Sequence, residues 1–264
     1  MILPGSYANG FAPRDGQPLY PSLRRGCVGA WAPCLGPTGL TLRDWSGYGS
    51  HGTLTNMDPA SDWVPSGGRY ALDFDGTNDY SVSSSLGIPS GSAKKTVGFW
   101  VYQRTRASGV NSAIVELATA GSTFTIQSVL IGGVTYVCTD SVAYNMTATG
   151  SEIPSLNAWN YMLFSFNGAS LEYWLNGVFI KTMAWPSSAA VTAIQIGRRS
   201  GAAVGYFDGL IDDVCIYNRV ISPQEIRLLA SRRGIAYEMA PRRRTSLQVA
   251  AAFSRRRRLL LGSI

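Results

Sequence analysis

The side chains that could perform acid–base chemistry are few and scattered along this sequence. The glutamates number five: Glu116, Glu152, Glu172, Glu225 and Glu238. Hydrolysis of a glycosidic bond needs two carboxyl groups held on either side of that bond. No two of the glutamates share one strand-like run, and Glu116 and Glu172 are each expected to face solvent. A Ser-His-Asp triad would need His51, the single histidine, but its Ser-His-Gly context is not a nucleophile elbow. The sequence therefore predicts a protein that is not an enzyme.

Short β-type runs separated by glycine-rich turns make up most of the chain. The clearest passage is 159–183, where Asn-Gly pairs at 167–168 and 176–177 divide three runs into a meander. Asn-Gly supplies the positive φ angles that a tight hairpin turn requires. Further strands are predicted at 95–104, 112–119, 124–131, 134–140, 193–199 and 206–219.

A second hairpin is predicted around Asp75-Gly76-Thr77-Asn78, between strands near 70–74 and 79–83, because apolar and polar residues alternate on both sides. The β pattern ends at Ser222, which precedes proline and has glutamate three positions later. That arrangement predicts a short capped helix. At least ten strands and one terminal helix are best satisfied by two antiparallel sheets packed face to face.

Five blocks of the sequence resemble successive parts of laminin-G-like domains of the concanavalin A-like lectin/glucanase superfamily. They are LRDWSGYGSHGTLTN, ALDFDGTNDYSVSS, KTVGFWVYQR, WNYMLFSFNGASLEYWLNGVFI and GLIDDVCIYNRVISPQEI. The resemblance implies an all-β fold: a two-sheet antiparallel jelly-roll β-sandwich over 27–230. Glucanases of this superfamily carry two glutamates on one strand, and this chain has no such pair. The superfamily also hosts lectins and adhesion modules, so the fold does not determine the function.

The same resemblance implies a structural Ca²⁺, held by oxygen ligands where an N-terminal loop meets the last strand. Asp212 matches the family's acidic position, and Asp44 is its expected partner. In the alternative interpretation, Asp212 and Asp213 cap turns or pair with Arg219, Arg43 or Arg198. Adjacent strand residues face opposite ways, so only one of these two aspartates is expected to enter a given site. No cofactor is otherwise required.

Lectin sites stack sugar rings on exposed aromatic side chains and bind hydroxyl groups with polar ones. Aromatic residues in predicted loops are therefore candidates for glycan binding, although such residues commonly cover the edge of a core instead. The candidates are Trp45, Tyr48, Trp63 and Tyr206. Cys27 and Cys34 could form a disulfide across a short loop or remain thiols. Cys138 and Cys215 are predicted to be buried thiols.

The positive charge is concentrated at the C-terminus. The chain has a net charge of +7, and residues 231–264 carry +8 of it, so the remainder is nearly neutral. This segment contains Arg232, Arg233, Arg242, Arg243, Arg244, Arg255, Arg256, Arg257 and Arg258. Together with a Pro- and Gly-rich segment at 1–26, it is predicted to form extended arms flanking the sandwich. The apolar residues among the arginines favour an acidic protein partner over nucleic acid, which remains an alternative.

A single such domain flanked by these arms resembles surface proteins of phage virions. That resemblance implies a non-enzymatic jelly roll displayed on a virion, anchored on an acidic capsid surface or on neighbouring subunits, and able to bind surface glycans. The alternatives are a free-standing lectin, extracellular or on a cell surface, and a glycan-cleaving enzyme. No apolar run approaches the roughly 20 residues of a membrane span, and no signal-peptide pattern is visible at the start.

Overall fold

The computed structural model describes residues 18–106, 113–119, 124–140, 145–185, 190–200 and 205–239, which form a two-sheet antiparallel β-sandwich. The strands are β1 (Cys27–Trp31), β2 (Thr41–Leu42), β3 (Gly52–Thr55), β4 (Trp63–Ser66), β5 (Arg69–Asp75), β6 (Tyr80–Ser84), β7 (Lys95–Gln103), β8 (Ala113–Thr119), β9 (Phe124–Ile131), β10 (Val134–Asp140), β11 (Asn145–Ala148), β12 (Trp159–Phe166), β13 (Ser170–Leu175), β14 (Val178–Ala184), β15 (Val191–Ile196) and β16 (Asp208–Tyr217). One helix, α1 (Pro223–Leu229), follows the last strand. The predicted all-β sandwich is confirmed.

Each sheet contains eight strands among the described residues. The first sheet has the order β14-β13-β12-β7-β16-β5-β4, and β1 pairs with the C-terminal half of β16. The second sheet has the order β11-β10-β9-β8-β15-β6-β3-β2. Inward side chains of both sheets form one core, which includes Phe74, Phe99, Phe164, Ile126 and Ile194.

The first sheet is buried on both faces. Val97, Phe99 and Val101 on β7 point into the sandwich core, whereas Trp100 between them belongs to a separate cluster on the opposite face. Helix α1 packs on that opposite face through Ile226 and Leu229, together with other members of the same cluster. The first sheet therefore forms the middle of a three-layer arrangement, and the second sheet forms an outer layer.

The packed domain is longer than the sequence predicted. Leu23 and Ile235 are buried in the cluster beneath α1, although the arms were predicted to span 1–26 and 231–264. The main-chain N–H of Leu19 donates to the carbonyl of Glu238 at 2.8 Å, and Pro18 forms a β-bridge with Met239. Residues 18–26 and 231–239 thus belong to the packed domain. The prediction that they form arms is wrong, because irregular segments show no hydrophobic periodicity in the sequence even when they are packed.

The local predictions had mixed outcomes. The meander is confirmed as β12, β13 and β14, with Asn176 and Gly177 at φ 51° and 78° in its second turn. Helix α1 starts with the predicted capping box between Ser222 and Glu225. The hairpin predicted at 70–83 is wrong: β5 lies in the first sheet and β6 in the second, so the turn at 75–78 crosses between sheets.

The four cysteines form no disulfide with one another, and all lie in the described part of the chain. Cys27 contacts the carbonyl of Gly29, and the thiol of Cys34 donates to Asp213. Cys138 and Cys215 are buried, as predicted. Among the described residues, no helix has the length and apolar character that crossing a bilayer requires.

Candidate functional site

A row of side chains crosses the outward face of the second sheet. The strand register places Val82 opposite Gln195, Gln195 opposite Glu116, and Glu116 opposite Thr125. Directly opposed residues point to the same face of an antiparallel sheet, and the inward side chains of these strands fill the core. The row therefore faces away from the core, on the sheet that α1 does not cover.

Glu116 is the carboxylate of this row. It is 0% exposed, which corrects the prediction that it faces solvent. Its Oε2 accepts a hydrogen bond from Thr125 Oγ1 at 3.0 Å, and its Oε1 accepts from the Ser200 N–H at 2.8 Å and from the Ser200 hydroxyl. The segment after β15 thus folds over the sheet and seals this carboxylate. Sequence alternation identifies a strand face but does not reveal such a covering loop.

Arg198 lies beside the row with its guanidinium group over an aromatic ring. Its Cζ is 3.5 Å from the ring centroid of Tyr80, and its Nε donates to Gln195 Oε1 at 2.7 Å. Tyr206, bridged to Arg198 through the backbone, has its ring centroid 6.5 Å from that of Tyr80. Arg198 forms no ion pair with a described carboxylate. The four side chains make a partly exposed surface of aromatic rings and hydrogen-bond donors.

Gln127 adds an unusual feature to this strand. It lies two residues beyond Thr125 on β9 and opposite Ala113, which extends the outward row. Its side chain is fully buried, yet neither its amide nitrogen nor its amide oxygen has a hydrogen-bond partner within the described residues. Leaving a buried polar group unpaired costs about 1–3 kcal/mol. The outward face therefore holds hydrogen-bonding capacity that the described chain does not use.

A second cluster of buried acids lies in the first sheet, at Asp212 and Asp213 on β16. Asp213 has φ 50°, and the register between β16 and β7 shifts between Asp212 and Cys215. This bulge brings both carboxylates to one place, so the expectation that adjacent residues face opposite ways is wrong here. Cys34 joins both: its N–H donates to Asp212 Oδ1 and its thiol to Asp213 Oδ1, each at 2.8 Å.

The chain itself satisfies these two carboxylates. Arg233 reaches Asp212 Oδ2 at 3.4 Å, and the N–H of Gly234 donates to Asp213. Burial raises the pKa of both carboxyl groups, and the hydrogen bonds from Cys34 and Gly234 oppose this in Asp213. Burial likewise raises the pKa of the Cys34 thiol, so it remains a protonated donor. This cluster, here called the aspartate clamp (Cys34, Asp212, Asp213 and Arg233), ties the N- and C-terminal segments to β16.

Residues 67–227, more than half of the chain, match a family model described as "Concanavalin A-like lectin/glucanases superfamily". The chain belongs to the concanavalin A-like lectin/glucanases superfamily. The matched region includes Asp212 and Asp213 of the aspartate clamp and all of the outward row. None of the curated proteins matches the chain.

Solved structures share the fold of this superfamily member at low sequence identity. Domain 4 of an extracellular GH43 arabinanase from Geobacillus stearothermophilus, in complex with arabinotriose, superposes with a TM-score of 0.63 at 16% identity, covering 78% of this chain and 98% of that domain. The binding domain of Paraclostridial Mosquitocidal Protein 1 gives 0.60 at 16% identity, covering 79% and 52%. A mutant Trypanosoma rangeli sialidase gives 0.57 at 14%, covering 80% and 34%. At these identities the likeness concerns the fold alone.

The two predicted calcium ligands have separate environments in this lectin-type fold. Asp44 accepts hydrogen bonds from the N–H groups of Ala30, Ser46 and Ser50 at 2.8–3.0 Å and from the Ser46 hydroxyl, so both of its oxygens are engaged. His51 accepts a hydrogen bond from the Asp44 N–H at 3.0 Å. The oxygens of Asp212 are engaged in the clamp. Donor N–H groups and a guanidinium around these oxygens do not fit a shared Ca²⁺ site, which needs free oxygen ligands.

The four predicted glycan-binding aromatic residues are dispersed. Tyr206 lies beside Tyr80 on the outward face of the second sheet. Trp63 lies in the core and is 5% exposed, and its indole N–H donates a hydrogen bond to the carbonyl of Gly39. The prediction that Trp63 is an exposed loop residue is therefore wrong. Trp45 is half-buried beneath Arg43, and Tyr48 is 45% exposed in the same loop. Of these four residues, only Tyr206 lies on the same face as Glu116 and Arg198.

The predicted anchor arginines divide into three groups. Arg233 belongs to the aspartate clamp, stacks on Trp159 at 4.1 Å and donates to Ser66, which corrects its assignment as an anchor. Arg232 pairs with Glu238 at 2.5 Å on the surface. The rest lie outside the described residues: Arg242, Arg243, Arg244, Arg255, Arg256, Arg257 and Arg258.

Proposed function

We propose that this protein is a non-enzymatic carbohydrate-binding domain whose site is the outward face of the second sheet. One observation carries the proposal: Arg198 lies on the ring of Tyr80, next to Tyr206 and the sealed carboxylate of Glu116. A sugar offers an apolar C–H face and a rim of hydroxyl groups. Aromatic rings beside fixed donors and acceptors are complementary to both.

The printed descriptions of the structural neighbours support this proposal. The arabinanase domain was solved with arabinotriose bound, and the mosquitocidal fragment is described as a binding domain. Both are parts of larger proteins. This chain spans nearly the whole of the first and about half of the second, so what the whole proteins do is not transferred.

The absence of catalysis is part of the proposal. Glycoside hydrolysis by two carboxyl groups requires the pair to flank the scissile bond, about 5–10 Å apart. Within the described part of the outward row, Glu116 is the sole carboxylate, and three hydrogen bonds hold it in place. Such a residue positions the loop after β15 and supports a binding surface.

A glycan array probed with the full chain tests the proposal. We expect binding to a subset of glycans, and Tyr80→Ala should abolish it by removing the ring on which Arg198 rests. Tyr48→Ala is the matched control, because it removes an exposed ring in another loop. Silence of the wild-type chain across a broad array, or equal loss in both variants, would contradict the proposed site.

A second candidate function is display on a larger assembly such as a virion. The β-bridge between Pro18 and Met239 places side by side the two described residues that adjoin the segments 1–17 and 240–264. The arginines at 242–244 and 255–258, together with residues 1–17, would therefore bind to the same acidic protein surface. We expect removal of 1–17 and 240–264 to abolish co-sedimentation with the assembly while the domain still folds. Incorporation of the truncated chain would overturn this candidate, and RNase- or DNase-sensitive association would instead favour nucleic acid.

A further inference from the structure

The charge of Arg198 indicates which class of glycan the outward face would take. Resting on the proposed carbohydrate-binding function, we propose that this face selects sugars that bear a carboxylate, with Arg198 as the residue that recognises the acidic group. Neutral glycans would contact the same rings and bind more weakly.

Arg198 is prearranged for a carboxylate that the described chain does not supply. The stack on Tyr80 at 3.5 Å and the bond from Nε to Gln195 fix the plane of the guanidinium. Its Nη1 and Nη2 have no hydrogen-bond acceptor among the described residues. A planar guanidinium fork matches the two oxygens of a carboxylate, and charge-assisted bonds of this kind are roughly twice as strong as neutral ones.

Several other arginines of the domain are paired with carboxylates. Arg104 pairs with Asp73 and Asp208, and Arg219 pairs with Glu225. Arg69, Arg232 and Arg233 also contact carboxylates. Arg198 differs from these arginines because its bonded neighbour is a neutral amide. Arg106 also bonds neutral groups, but one of its terminal nitrogens donates to the carbonyl of Pro154. The positive charge of Arg198 is therefore available to a ligand.

Glu116 lies opposite Gln195 in the strand register, and an exposed carboxylate at this position would repel an acidic ligand. Its oxygens already receive hydrogen bonds from Ser200 and Thr125, and it is sealed from solvent. Gln195 separates it from Arg198, because the amide opposes Glu116 across the strands and accepts from Nε of Arg198. Removing the charge with Glu116→Gln should therefore leave the preference for an acidic sugar in place.

The test is isothermal titration calorimetry of the full chain with matched probes. Tri-galacturonate is compared with its methyl ester, and 3′-sialyllactose with lactose, so that a uronic acid and a sialic acid are distinguished. We expect one acidic probe to bind at least about 10-fold more tightly than its neutral counterpart, which corresponds to one or more charge-assisted hydrogen bonds. Adding salt should weaken that binding.

Three variants separate recognition of the carboxylate from general damage. Arg198→Gln should remove the preference for the acid, whereas Arg199→Ala, which removes the same charge one residue away, should retain it. Glu116→Gln should also retain it, because the charge of Glu116 is sealed from the ligand. Equal binding of acidic and neutral probes, or a preference that persists in Arg198→Gln, would overturn this inference and leave the proposed function intact. Absence of binding to any glycan would overturn both.

Discussion

Two of the arginines that lie over aromatic rings, Arg233 and Arg198, have different surroundings. Arg233 lies 4.1 Å from the ring of Trp159 in the first sheet, and Arg198 lies 3.5 Å from the ring of Tyr80 in the second. The side chain of Arg233 is 9% exposed and ends on Asp212 and Ser66. Arg198 is half-buried and its Nε donates to a neutral amide, whereas its terminal nitrogens have no hydrogen-bond acceptor among the described residues.

The layer on top of each sheet explains this difference. Helix α1 and the segments 18–26 and 231–239 cover the outer face of the first sheet, so every polar group there must be paired within the chain. The outward face of the second sheet has no such helix in the described structure. An arginine stacked on an aromatic ring therefore stabilises the fold on the first sheet, and on the second it belongs to the proposed glycan-binding surface.

The largest expected effect comes from breaking the aspartate clamp at its bulge. Asp213→Ala removes the acceptor of the Cys34 thiol and of the Gly234 N–H, and it places alanine at φ 50°. We expect a loss of about 3–5 kcal/mol in the free energy of unfolding, measured by urea denaturation. Asp213→Asn should lose less, because asparagine tolerates this φ and keeps an acceptor oxygen. A loss below about 1 kcal/mol in the alanine variant would show that the clamp is not structural.

Removal of Arg233 tests how much the cation of the aspartate clamp contributes to stability. Arg233→Ala leaves Asp212, which is 0% exposed, without its cation and should cost about 2–4 kcal/mol of stability. Arg232→Ala is the matched control, because its pair with Glu238 is exposed and should be worth less than about 1 kcal/mol. Equal losses in the two variants would contradict the distinction between clamp and surface.

A smaller, pH-dependent effect is expected at the cap of α1. The hydrogen bonds from Arg219 lower the pKa of Glu225 to about 2, so its ionised form stabilises the folded state. This contribution is complete above the ordinary pKa of glutamate and is lost as the pH falls from about 4.5 towards 2. Glu225→Gln should cost about 2 kcal/mol at pH 7 and almost nothing near pH 2. Unfolding curves that differ equally at both pH values would refute this assignment.

Local sequence signals predicted the elements that local chemistry determines. The Asn-Gly turns give the meander, and Ser222 with Glu225 gives the start of α1. The turn at 75–78 has the same local chemistry as a hairpin, yet it crosses between sheets, because strand partners are set by packing of the whole core.

The candidate site was largely hidden in the sequence. Tyr206 was identified as an aromatic loop residue, but Glu116 was expected to face solvent and Arg198 was named only as an alternative ion-pair partner of the β16 aspartates. The burial of Glu116 depends on Ser200, which is 84 positions away in the chain. The clamp similarly depends on a bulge at Asp213, which alternation alone cannot predict.

The most direct test of the division between scaffold and recognition surface compares Arg198→Ala with Arg233→Ala in one experiment. Each variant is measured for its melting temperature and for its affinity to the best-binding glycan of the array. We expect Arg198→Ala to lose glycan binding while melting within about 2 °C of the wild type, and Arg233→Ala to melt at least about 5 °C lower with the affinity of the folded protein unchanged. The account would be contradicted if Arg198→Ala destabilised the domain and retained its affinity, or if Arg233→Ala remained stable and lost glycan binding.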